Sequence, residues 1–201
     1  MEEKMTTTKE ILLPNNYTLK LYKRKYLPQI SDFVANIYFT QHHYQFDEDI
    51  ETLTNELRTQ DEELSKQSTI CCIYNIEKNI CCTGRLVKRV QQLPFEIEFD
   101  INLDLFQDKY SDIYEFARLA SGEKSSFRLV KILTTQLFSS VDSNSTMVVA
   151  SLDQLVYKKL LRLKYPVFKL GKERYYMGSV TVPVGFDLSK IKMMERSRYE
   201  N

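Results

Sequence analysis

The period of the apolar positions changes several times along this chain, and each change predicts an element. Tyr17, Leu19 and Leu21 alternate with Thr18, Lys20 and Tyr22, a first strand that Pro28 ends. Phe33, Val34, Ile37 and Tyr38 then share one face of a helix that Ser31 can cap. Asp47 caps a second helix with Ile50, Leu53 and Leu57 turned inward, and the highly charged residues 58–66 either continue it or loop out. Residues 69–74 and 80–86 read as two strands of a hairpin around the loop 75–79. Residues 95–103 alternate without a fault, apolar on one face and Glu96, Glu98, Asp100 and Asn102 on the other, which predicts a half-exposed strand or edge arm; an acidic binding strip is the alternative.

Ile113, Tyr114, Phe116 and Leu119 predict the next strand, which Ser121-Gly122 breaks. Phe127, Val130, Leu133 and Leu137 recur at helical spacing behind it, with Lys124, Ser125 and Ser126 at the start of that helix. Residues 146–152 form a short β-branched strand, and Asp153 caps a helix carrying Leu155, Val156, Tyr157, Leu160, Leu161 and Leu163, closed by Pro166. Residues 167–171 and 175–182 complete the set as two strands. Residues 1–14 read as loose and polar, and residues 190–201 as a charged, peripheral tail. The order β-α-α-β-β-(β arm)-β-α-β-α-β-β predicts one domain of the α/β class, a mixed central sheet with helices on both faces.

Composition narrows the function little. The 201 residues suit one core, and a net charge of +1 gives no footprint for bulk nucleic-acid binding. No apolar run is long enough to span a membrane, and the start Met1-Glu2-Glu3-Lys4 lacks a leader's apolar core, so a cytoplasmic protein without stable membrane insertion is expected. The cysteines come as adjacent pairs, Cys71-Cys72 and Cys81-Cys82, within strand-like text. Neighbours on a strand point to opposite faces, so one pair cannot place both sulfurs on one ion. Small buried thiols are expected, not a metal site.

The sharpest chemical signal is Glu115 and Arg118 in an otherwise apolar strand. Burying such groups is costly unless they are paired or used. The strand also feeds a polar loop and a helix N-terminus, a natural place for an anionic group.

On these residues the chain resembles the GNAT acyltransferase superfamily, and within it the branch of acyl-homoserine-lactone synthases and long-chain N-acyl amino acid synthases. Tyr114-Glu115-Phe116-Ala117-Arg118-Leu119-Ala120 is similar to that branch's Glu-Leu-Ser-Arg-Leu/Phe motif on its fourth strand. Thr83-Gly84-Arg85-Leu86-Val87 is similar to its Gly-x-x-Arg-Leu strand, and Asp61-Glu62-Glu63-Leu64-Ser65 stands where it has an acidic segment. Leu155-Val156-Tyr157-Lys158-Lys159 resembles the helix that brings a tyrosine near the thioester sulfur in many GNAT enzymes, and Gly178 and Pro183 suit the closing strands.

The resemblance implies an N-acyltransferase that moves a fatty acyl group from acyl carrier protein or acyl-CoA to the amine of an amino acid or related small molecule. No permanently bound cofactor is implied. Glu115 would bind the amine and draw its proton, with a structural ion pair to Arg85 or Arg118 as the alternative. Tyr157 would protonate the leaving sulfur, unless it is simply a core residue. Arg85 would clamp a substrate carboxylate, Arg118 would fix Glu115 or the neighbouring loop, and Asp61 joins the substrate-binding group. The backbone of Phe116, Ala117 and Leu119 would pair with the pantetheine amides, Lys124, Ser125 and Ser126 would hold its phosphate, and Phe127 and Phe138 would line an acyl tunnel. His42-His43 lacks a partner motif and reads as loop.

Two departures carry weight. Residues 123–128 contain no glycine where acetyl-CoA enzymes have a Gly-rich pyrophosphate loop, which fits a carrier-protein donor. The chain has no Trp, which the lactone synthases usually carry near the N-terminus, so an acylated amino acid or another amine is at least as good a product as a lactone. The rivals are a non-catalytic acyl-carrier or ligand-binding member of the fold and a small-acyl CoA-dependent N-acetyltransferase.

Overall fold

The computed structural model describes residues 8–40, 49–122, 126–142 and 144–199, without the side chains of residues 126 and 195–199. They fall into two compact units, one of residues 8–40, 49–87 and 118–137, the other of residues 88–117 and 138–199. Strand β5 (Asp112–Ser121) runs through both, giving its first six residues to the second unit and its last four to the first.

The first unit is a meander. Strands β1 (Lys9–Leu13), β2 (Tyr17–Lys23), β3 (Ser68–Tyr74) and β4 (Ile80–Lys88) pair antiparallel in that order. Helices α1 (Pro28–Thr40) and α2 (Ile50–Glu63) pack on each other between β2 and β3. Leu19, Val34, Leu57, Ile73 and Leu86 are wholly buried in it. The interior of β4 is buried almost without interruption, as expected of a strand covered on both faces. All four cysteines are therefore buried on alternating faces, as expected from their spacing. Burial pushes the Cys72 thiol up to about 11 and Cys82 up to about 12, so neither offers a thiolate at neutral pH.

In the second unit, β5 runs parallel to β6 (Thr146–Asp153), which pairs antiparallel with β9 (Ser179–Asp187). The short strands β7 (Val167–Lys169) and β8 (Arg174–Tyr176) both pair antiparallel with β9. Helices α3 (Pro94–Phe99), α5 (Gln154–Arg162) and α6 (Leu188–Tyr199) complete it; α4 (Ser126–Ser139) belongs almost wholly to the first unit. Asp153 caps α5 as expected, its Oδ1 accepting from Leu155 N–H at 2.7 Å. No described helix is long and apolar enough to cross a membrane.

Several expectations fail for identifiable reasons. Residues 95–103 are not a strand. Pro94 sits at the first helical turn and Glu96 reaches back to accept from Leu93 N–H at 2.9 Å, so the start of α3 is capped from within despite the period-2 pattern. The loose segment at the N-terminus contains β1, turned back by Asn15 and Asn16 at φ 62° and 59°, a conformation asparagine tolerates. Ser31 is not a cap: α1 begins at Pro28, and Ser31 lies inside it, fully buried. Asp47 lies outside the described residues, and Asp49 caps α2 by accepting from Thr52 N–H. Helix α2 runs on to Glu63 through the charged stretch. Residues 175–182 are two strands, β8 and β9, with Met177 and Gly178 at positive φ between them. The charged tail begins as α6, anchored by buried Leu188 and Ile191.

Candidate active site

Strand β5 carries two unusual features, one in each unit. In the second unit its parallel pairing with β6 runs from Asp112↔Thr146 to Glu115↔Val149 and ends there. Strand β6 continues to Asp153, paired on its other side with β9 through Asp153↔Thr181. Among the described residues, Ala150–Asp153 therefore have a strand on one side only, and a row of backbone N–H and C=O groups faces away from β9. Glu115 stands at the last paired position, 9% exposed. Phe116 follows, buried and meeting the Phe138 ring edge-on at 5.6 Å, and Ala117 is half-buried. Tyr157 is in the same unit on α5, half-buried, in a helix with no fully buried residue.

In the first unit, Arg118 has φ 57° in the body of the strand, a left-handed conformation rare for a long side chain. Arg118 is 9% exposed, and its guanidinium is held at two nitrogens. Nε donates to Asp61 Oδ1 at 2.9 Å, and Nη2 donates to Gln60 Oε1 at 3.0 Å. Arg85 of β4 reaches the same Asp61 Oδ1 at 2.7 Å, and Ser31 Oγ–H donates to Asp61 Oδ2 at 2.8 Å. One carboxylate of α2 thus joins α1, β4 and β5, with two guanidiniums bound to it.

The residues expected from the sequence divide accordingly. Asp61, Arg85 and Arg118 are brought together, and both arginines take Asp61 as an ion partner. Glu115, Phe116, Ala117 and Tyr157 belong to the other unit; half-buried Leu119 follows Arg118 in the first. Lys124, Ser125, His42 and His43 lie outside the described residues; Ser126 opens α4, its side chain likewise outside. Phe138 is buried against Phe116, whereas Phe127 is 64% exposed. Sequence reasoning missed Ser31 and Gln60 as partners in the cluster. Gln60 adjoins Asp61, but nothing local marks Ser31, whose partner is 30 residues away.

No family model and no curated protein match the sequence. Solved structures do match. FeeM, an N-acyl amino acid synthase from uncultured soil microbes, aligns with a TM-score of 0.58 at 14% identity, over 88% of this chain and 95% of its own. BjaI, a CoA-dependent acyl-homoserine lactone synthase solved with SAM and isopentyl-CoA, aligns with a TM-score of 0.57 at 12% identity, over 85% and 81%. FdhC, a nucleotide-linked sugar GNAT, aligns with a TM-score of 0.52 at 14% identity, over 92% and 94%. The chain has the GNAT acyltransferase fold, as its element order suggested.

Proposed function

We propose that this protein is an N-acyltransferase that moves an acyl group from a pantetheine thioester, carried by acyl carrier protein or CoA, to the primary amine of an amino acid or related small molecule. The observation that carries the reading is the end of β5–β6 pairing at Glu115↔Val149 while β6 runs on to Asp153. A pantetheine arm is an extended chain with two amides, and a one-sided strand edge offers it the groups a missing strand would supply. The fold supports the same reading, because FeeM and BjaI are acyl-transferring synthases by name.

Glu115 lies where the open edge begins. It takes a proton from the bound ammonium, and the freed amine attacks the thioester carbonyl carbon. Backbone N–H groups of the open edge donate to the oxyanion. The C–S bond then breaks as Tyr157 gives its proton to the departing thiolate, and the second proton of the nitrogen returns through solvent to the Tyr157 phenolate, leaving the amide and a free thiol. Lys124, Ser125 and Ser126 hold the pantetheine phosphate in this scheme.

Mass spectrometry of lipid extracts from a bacterial host tests the proposal, with wild type expressed beside Glu115→Gln. New N-acylated amines that disappear in the variant, with folding intact, support it and name acyl chain and acceptor together. Unchanged products in Glu115→Gln would remove Glu115 from the mechanism. Binding of acyl carrier protein or acyl-CoA to purified protein without turnover would point instead to a non-catalytic acyl-binding protein.

A further inference from the structure

We propose that Gln60 and Asp61 form a clasp that positions the reacting strand by holding Arg118 in its left-handed conformation, so that neither residue contacts substrate. The proposal rests on the transferase reading above and assigns it two positioning residues. A left-handed φ at a non-glycine residue costs free energy, and such a bend persists only where the surroundings over-determine it.

The surroundings here are specific. Gln60 and Asp61 are consecutive residues near the end of α2, and they grip two different nitrogens of one guanidinium at 3.0 and 2.9 Å. Two acceptors on a planar fork fix its plane as well as its position. Asp61 is in turn fixed through Arg85 on Oδ1 and Ser31 on Oδ2, so its own rotamer is held from α1 and β4. Its oxygens are committed to protein groups, which suits a fixture better than a substrate ligand. Glu115 precedes Arg118 by three residues on the same strand, and the bend sets the direction of the peptide planes between them. An error of even an ångström in a reacting group can cost orders of magnitude in rate, and this gives the clasp its catalytic consequence.

Gln60 is half-buried and carries no charge, so it can be changed with little risk to folding. Gln60→Ala is expected to lower kcat about tenfold at unchanged KM for the thioester, with Tm nearly unchanged. Gln60→Glu restores a strong acceptor for Arg118 and should recover most of the lost kcat. Amide NMR shifts and hydrogen exchange of residues 115–119 form a second arm that needs no substrate. They should move in Gln60→Ala and return in Gln60→Glu. The clasp is overturned if those amides do not respond, or if kcat follows Tm alone. Should the wild type prove inactive, the transferase reading fails while the NMR arm still decides whether the clasp holds the bend.

Discussion

Two buried carboxylates in this protein are bracketed by arginine and perform different work. Glu96, 2% exposed, accepts from Arg89 Nε at 2.8 Å and Leu93 N–H at 2.9 Å on one oxygen, and from Arg89 Nη2 at 2.9 Å and Leu103 N–H at 3.3 Å on the other. None of these partners is more than seven residues away. Asp61, 7% exposed, takes its hydrogen bonds from Ser31 and Arg118, 30 and 57 residues distant, and also binds Arg85. The first knot closes one loop around α3 at small entropic cost. The second holds four elements and sits at a strained backbone. Both are well satisfied, so burial and hydrogen bonding alone would not separate them. Sequence distance and the backbone at the far end do.

The strongest way to break the comparison is to remove each carboxylate. Asp61→Ala removes the carboxylate that both buried arginines take as an ion partner and is expected to cost about 3–5 kcal/mol of stability in urea unfolding. Glu96→Ala should cost less, about 2–3 kcal/mol, because Arg89 is partly solvated and keeps Asp104 at 2.8 Å, while two N–H groups lose their acceptor. Under the proposed transferase function, kcat of the folded fraction should be unchanged in Glu96→Ala. Equal losses in the two variants, or a kcat defect in Glu96→Ala, would erase the distinction between knot and clasp.

A finer cut separates the guanidinium of Arg118 from its backbone. Arg118→Gly and Arg118→Ala both lose the contacts to Asp61 and Gln60, but only alanine retains the steric penalty at φ 57°. The glycine variant should be the more stable of the two by about 1 kcal/mol after allowing for its freer unfolded chain. If alanine were equal or better, the bend would not be a left-handed fixture.

The same contrast explains what was legible in the sequence. The cysteine hairpin, the Asp153 cap and the helical spacing behind Ser121-Gly122 are local patterns, and each could be read from neighbouring residues. So could the oddity of Glu115 and Arg118, since charge in an apolar strand stands out at once. Residues 95–103 read as a strand because a six-residue helix is short enough for its apolar positions to mimic alternation; Pro94, with Glu96 two residues on, is the signal that marks the helix. The Asp61 cluster was reached only through the resemblance, and Ser31 was read as a cap, because nothing within one turn of Ser31 marks a partner on another helix. Positive φ at Arg118 leaves no trace in composition, unlike Asn15 or Gly178, where the residue type itself favours that conformation.

A third carboxylate supplies the mildest test. Asp187, 8% exposed, combines local and distant partners: Ser189 Oγ–H, Ser189 N–H and Lys190 N–H bond Oδ1, and Tyr110 O–H donates to Oδ2 at 3.2 Å. Burial pushes its carboxyl up, but the hydrogen bonds from Ser189, Lys190 and Tyr110 outweigh burial and hold it below the ordinary aspartate value. A folded pKa below the unfolded one means the ionised group stabilises the fold above the unfolded value, about 3.9, and that this contribution fades as pH falls through the folded value. The stability advantage of wild type over Asp187→Asn should therefore be full at about pH 7 and shrink steadily as pH falls below the unfolded value of about 3.9. An advantage that did not shrink with acid would mean that Asp187 acts through shape rather than charge, and would place it nearer to an uncharged helix cap than to either arginine-bound carboxylate.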